Sequence, residues 1–156
     1  MQVKIGVVDT TFARVDTATP AIAELKRLGA KVERRTVPGI KDLAVECKRL
    51  LDGGCDACLA LGWVGGAPID EVCANQASMG IQWAKLLTGK HIVEATIHEI
   101  ESDDPIELAE MAVDRAVKHA RNAFLLASGS SELSSHAGKG LRQGKANVGS
   151  LKVKKK

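Results

Sequence analysis

Four short apolar strand patterns alternate with four helical patterns along the chain, and this strict alternation limits the fold most. Residues 3–9 (Val-Lys-Ile-Gly-Val-Val-Asp) read as a buried strand rich in valine and isoleucine. Residues 32–37, 56–61 and 91–99 read as three more. Between them lie helical spacings. Pro20 suits a first helical position with Thr19 as N-cap, Ile22, Leu25 and Leu28 share a face, and Gly29 closes the helix. A second helix over 41–51 buries Leu43, Cys47, Leu50 and Leu51. A third opens at Pro68 and runs to about residue 87, with Val72, Met79, Trp83 and Leu86 along its apolar face. The fourth begins at Asp104-Pro105-Ile106-Glu107, which has capping-box spacing, and runs to residue 127.

Alternation of this kind predicts a parallel sheet with helices on both faces. Right-handed crossovers then leave few strand orders. The expected one is 2-1-3-4, a flavodoxin-like doubly wound α/β sheet of four strands. Its switch point lies between the first and third strands. At 156 residues the chain suits one such domain, spanning 1–127. The remainder, 128–156, is expected to be a basic C-terminal extension, partly ordered at a subunit interface and mobile at Lys154 to Lys156.

Charge follows the same division. The net charge is +3, but residues 128–156 hold seven bases against Glu132 alone, so the domain itself is acidic. A basic character therefore does not describe the domain, and no nucleic-acid partner is expected. The scarcity of aromatics points the same way. Only Phe12, Trp63, Trp83 and Phe124 occur, too few for a platform that stacks bases. No apolar run is long enough for a membrane span, and the chain opens directly on a strand pattern without a signal segment. A cytoplasmic protein with reduced cysteines is expected. Cys55 and Cys58 enter the third strand pattern, which would place them on opposite faces, too far apart for a disulfide.

Ligands of doubly wound sheets bind beyond the carboxyl ends of the strands, at the switch point. Those ends lead into Thr10 to Arg14, Pro38 to Asp42, Gly62 to Gly66, and His98-Glu99. Phe12 and Trp63 thus fall in the two loops beside the switch point. Such rings either hold a flat heterocycle or close the end of the core. Trp83 and Phe124 lie on helices and read as packing residues. The glycines from 62 to 66 lack the spacing of a nucleotide-phosphate loop. The Pro38-Gly39 turn leaves backbone N–H groups free for polar ligand atoms. His98, at the mouth of the site, is the leading acid–base candidate. His91 lies at the far end of the same strand.

Several segments together resemble one family. They are residues 7–14 (Val-Val-Asp-Thr-Thr-Phe-Ala-Arg), 36–43 (Thr-Val-Pro-Gly-Ile-Lys-Asp-Leu), Ala60-Leu61-Gly62, Val72-Cys73-Ala74 and 138–144 (Gly-Lys-Gly-Leu-Arg-Gln-Gly). In this order and over nearly the whole chain, the sequence is similar to archaeal-type riboflavin synthases, which are related to lumazine synthase. The resemblance implies dismutation of two 6,7-dimethyl-8-ribityllumazine molecules by transfer of a four-carbon unit. It implies a ring-shaped homopentamer with sites between subunits, and no organic cofactor. It also suggests a divalent metal (Mg or Mn), although the chain offers only loose carboxylates such as Asp9 and Asp42 as ligands.

By matching segment, Phe12 would stack on the lumazine, with Thr11, Ala13 and Arg14 beside it. Pro38, Gly39, Ile40 and Asp42 would meet the ribityl chain or ring edges. Gly62 and Trp63 would border the second position, and His98 and Glu99 would carry protons. Arg115 and Lys139 would come from a neighbouring subunit. Lumazine synthase, the nearest rival, typically carries a basic residue and a histidine after the third strand. Here that stretch, Val64 to Asp70, has neither. A lumazine or flavin carrier without activity is the other alternative.

Overall fold

The structure is a computed structural model and describes residues 1–154; Lys155 and Lys156, part of the end expected to be mobile, lie outside the described residues. Its strands are β1 (Lys4–Thr10), β2 (Lys31–Val37), β3 (Ala57–Val64) and β4 (His91–His98). Its helices are α1 (Ala18–Arg27), α2 (Leu43–Asp52), α3 (Pro68–Thr88), α4 (Pro105–Ser128) and a short α5 (Glu132–His136). The strands form one parallel sheet in the order β2-β1-β3-β4, as the alternation predicts.

Strand periodicity divides the core in two. Ile5 and Val7 of β1, with Leu59 and Leu61 of β3, pack under α1 and α4 against Leu25, Ala116 and Ala120. Val8, Cys58 and Ala60 face the other way, toward Leu43, Cys47, Leu50 and Leu51 of α2 and Ile81 of α3. All eight residues of β3 are buried, as expected of a central parallel strand. Gly6 lets α2 lie close to β1: a Cβ there would sit 2.7 Å from Cys58 Sγ and 2.8 Å from Leu50 Cδ1. Between α1 and α4, Glu24 is buried and accepts hydrogen bonds from Arg27 and Arg121.

The structure corrects several local expectations. Helix α1 starts at Ala18, because the Asp16 carboxylate takes the capping role by accepting from both Thr19 N and Thr19 Oγ1. Pro20 is then the third helical residue, where an amide hydrogen still lacks an intrahelical acceptor. Strand β3 does not stop at Leu61. Pairing with β4 carries it to Val64, so Gly62 and Trp63 are strand residues and not loop residues. In α4, Asp104 caps Ile106 N while Glu107 accepts from Ser102 Oγ instead of closing the box.

Cys55 precedes β3 and packs in the same cluster as Cys58, so strand alternation does not separate the two. Both thiols are free and buried. Burial pushes Cys55 up to about 11. A hydrogen bond to Cys47, together with burial, raises Cys58 further.

Helix α3 shows the largest departure. It packs through the small residues Ala77 and Ala84 and through Ile81. Val72, Met79, Trp83 and Leu86 are exposed, joined by Ile69 and Leu87. Periodicity grouped the face correctly but not its direction. Small side chains let the helix lie close, and the large ones point outward. Phe124 does pack against the α1–α4 core.

Candidate functional site

At the carboxyl ends of β1 and β3 lies a cleft of about 260 Å³, lined by Phe12, Gly39, Ile40, Asp42, Gly65 and Cys73 among others. Two turns form its rim, and backbone bonds tie them together. Thr11 N donates to Val37 O at 2.9 Å, and Phe12 N to Pro38 O at 3.2 Å. Thr10 Oγ1 accepts from Ala13 N at 3.2 Å, and Thr11 Oγ1 donates to Pro38 O at 3.2 Å. The Phe12 ring is thereby held outward, 54% exposed, with its tip near Gly65. A rigid backbone presenting an exposed ring is a stacking surface for a flat ligand. Gly39 is extended, and among the described residues its amide has no acceptor. A single turn of 3-10 helix, Ile40–Asp42, follows it.

Trp63 contributes differently from the stacking ring that its sequence position suggested. Its side chain is 2% exposed and packs against Ile97, Leu108 and Ala112. Its indole N–H donates to Glu99 Oε1 at 2.9 Å, and Arg14 Nη1 donates to the same oxygen at 3.1 Å. These bonds, the indole's first, hold the Glu99 carboxyl below its ordinary range. Glu99 is therefore a fixed negative charge at neutral pH. Gly62 does not line the cleft; a Cβ there would meet Thr96 Oγ1 at 2.9 Å and Ile40 Cγ2 at 3.4 Å.

A second cavity, of about 670 Å³, opens over the edge strand β4 between α3 and α4. It shares Ile40 with the first cleft. His98 stands in its wall with Nδ1 2.8 Å from Glu71 Oε1. That contact fixes the ring and leaves Nε2 as its other polar atom. His98 N donates to Glu101 Oε1 at 3.1 Å.

Glu101 in turn holds Arg115 through two bonds of 2.7 Å, and Arg115 also donates to Thr96 O at 2.7 Å. Arg115 drives the Glu101 carboxyl down to about 2. His119, one turn further along α4, has a buried Nδ1 with no partner among the described residues. Burial lowers its pKa to about 4, with Arg115 adding to the effect.

The sequence-derived residues thus separate into two groups. Phe12, Gly39, Ile40, Asp42 and Trp63 line the first cleft, with Thr11, Ala13, Arg14 and Pro38 in its supporting turns. His98 and Arg115 line the second. Lys139 lines neither; it is exposed, with its backbone N bonded to His136 O. Sequence reasoning missed Glu71, on α3, and Glu101, in the turn just after β4, and placed His119 only on a helix face toward a neighbour.

A divalent metal finds no ready ligand set among the described residues of one chain. Asp9 is committed to Arg34 at 2.6 Å and to Thr36 Oγ1 at 2.7 Å. Among the described residues no group of three His, Cys, Asp or Glu is placed to hold an ion. No helix among them is long and apolar enough to cross a membrane.

Comparison with known proteins fits this geometry. The 6,7-dimethyl-8-ribityllumazine synthase family model matches residues 2–130. The riboflavin synthase of Methanothermobacter thermautotrophicus is 48% identical over 152 residues, 96% of this chain and 99% of that protein. Those of Aeropyrum pernix and Archaeoglobus fulgidus are 48% and 43% identical, each over 95% of this chain and over 97% and 98% of their own lengths. A 6,7-dimethyl-8-ribityllumazine synthase of Clavibacter sepedonicus aligns over only 58 residues, at 43% identity and 36% of each chain. With the fold and the near-complete alignment in agreement, the chain belongs to the 6,7-dimethyl-8-ribityllumazine synthase family, in its archaeal riboflavin synthase branch.

Proposed function

We infer that the chain catalyses riboflavin synthesis. Two 6,7-dimethyl-8-ribityllumazine molecules exchange a four-carbon unit and yield riboflavin and 5-amino-6-ribitylamino-pyrimidinedione. The observation that carries this is the alignment with archaeal riboflavin synthases over at least 95% of the chain. The reaction balances in atoms and electrons without an external oxidant or reductant, and we propose that no organic cofactor takes part. The 7-methyl group of the lumazine is acidic, and its carbanion attacks the second molecule. Orienting two flat rings is then the main demand, and orientation alone can lower such a barrier by about 7–11 kcal/mol.

In this reading Phe12 stacks on one lumazine and the free Gly39 amide meets its ribityl chain or ring edge. His98, oriented by Glu71, moves a proton at Nε2. Glu99 stays charged and anchors Arg14 at the rim. Nothing is routed through a divalent cation, because the donors of one chain do not fit it. The exposed ring of Phe12 and the exposed apolar stripe on α3 support self-association, as a homopentamer whose neighbouring subunits complete each site. Free, buried cysteines support a cytoplasmic location.

Incubating purified protein with dimethylribityllumazine alone tests this function. Riboflavin fluorescence should grow as lumazine is consumed. If lumazine persists and instead forms from the pyrimidinedione and a four-carbon phosphate, the chain is a lumazine synthase. Binding of lumazine without either reaction would make it a carrier.

A further inference from the structure

Beyond residue 130 the chain turns back onto α4. Gly144 N donates to Asp114 Oδ2 at 3.1 Å, and Arg115 Nε donates to Gln143 O at 3.4 Å. Lys145 Nζ lies 3.5 Å from Glu101 Oε2. Gly144 makes this approach feasible in two ways. Its φ of +77° is one that side chains disfavour, and a Cβ there would lie 2.6 Å from Arg115 Nε. Gly140, at φ +60°, packs as tightly, since its Cβ would lie 2.5 Å from Gly149 O. Val148 N donates to Gly140 O at 3.0 Å and so closes a loop around Gln143.

The result is that Gln143 stands in the wall of the cavity that holds His98 and Arg115. Its backbone oxygen is used by Arg115, while among the described residues its side-chain amide has no partner. An amide offers one acceptor and two donors in a plane. The imide edge of a pyrimidinedione presents the complement, an N–H between two carbonyl oxygens. The segment is also outside the matched family model, which ends at residue 130, whereas the alignment with riboflavin synthases covers 96% of the chain and so runs through it. The shared fold does not need this wall.

We propose that the returning segment is part of the substrate site, with the Gln143 side-chain amide contacting the pyrimidinedione edge of a lumazine bound beside His98 and Arg115. This rests on the riboflavin synthase reading above and deepens it. Gly144 acts as a positioning residue, because it brings Gln143 to Arg115.

The test compares wild type with Gln143→Ala and Gln143→Glu in KM, kcat and lumazine Kd, the last from quenching of lumazine fluorescence. Loss of one such contact should raise KM and Kd about three- to tenfold while kcat and the melting temperature stay close to wild type. Gln143→Glu keeps the size but sets a carboxylate against an imide carbonyl, so it should raise KM at least as much. Unchanged KM and Kd in both variants would overturn the proposal while leaving the synthase function intact. A wild type that converts no lumazine would instead defeat the parent reading. In that case Kd alone decides: weaker binding by the variants upholds the contact, and equal or no binding overturns it.

Discussion

The two cavities of this molecule are built on opposite plans. The cleft at Phe12 is made of turns, backbone amides and one exposed ring. The cavity at His98 is made of ionised side chains from α3, α4 and the returning segment, tied into a network through Glu101. The first can lose Phe12 without disturbing the fold. In the second, Arg115 and Glu101 cannot be removed so freely, because they share their bonds with each other and with His98 N. A site for two flat rings that react with each other has use for both, an adaptable stacking surface and a fixed polar frame.

If the two regions complete each other between copies of the chain, disrupting the exposed stripe of α3 should have the largest effect. Met79→Glu combined with Trp83→Glu should sediment as a monomer and lose riboflavin formation by more than about a hundredfold, since a misplaced reactant alone costs about that much. Phe12→Ala comes next. It should lower kcat/KM about thirty- to a hundredfold by removing a stacking partner and leave the thermal midpoint unchanged. A large fall in stability would instead make Phe12 a structural ring and erase the contrast.

Glu101→Gln should do the reverse. Leaving Arg115 without its carboxylate is expected to cost about 2–3 kcal/mol in a denaturant titration, below the fully buried case because Lys145 and solvent reach the pair.

Acidity separates the regions further. Glu101 and Glu24 both have folded pKa values of about 2, below their unfolded values. Their stabilisation is full above about pH 4.5 and is lost as pH falls toward 2. His119 has its folded value lowered to about 4. The unfolded chain takes up that proton near pH 6.5 and the folded chain does not, so stability declines as pH falls from about 6.5 to 4. His119→Asn should remove that upper limb, whose full depth between pH 6.5 and 4 is about 3 kcal/mol, while Phe12→Ala should leave the whole pH curve unchanged.

These differences also explain how much could be read from the sequence. Strand order and the switch point were legible because alternation and crossover handedness force them. The first cleft followed, since its residues sit where strands end. Trp63 was misplaced because Gly62 looks like a strand stop, whereas pairing with β4 sets the true length of β3. The outward face of α3 was misread because periodicity shows which residues share a face but not where it points.

The second cavity was only partly legible. His98 and Glu71 are 27 positions apart, and Arg115 and Glu101 are 14 apart. Only the packing of α3 and α4 against β4 brings such pairs together. Gln143 lay inside a segment that the resemblance singled out, but nothing local showed that its chain returns to Arg115.

The central claim, that two lumazines are the only reactants, is tested most directly by isotope content. Lumazine labelled with carbon-13 throughout its four-carbon unit should be supplied to the purified protein as sole substrate, and both products weighed by mass spectrometry. The account predicts riboflavin carrying two labelled units and a pyrimidinedione carrying none, in equal amounts. Riboflavin with a single labelled unit, or no riboflavin at all, would contradict it.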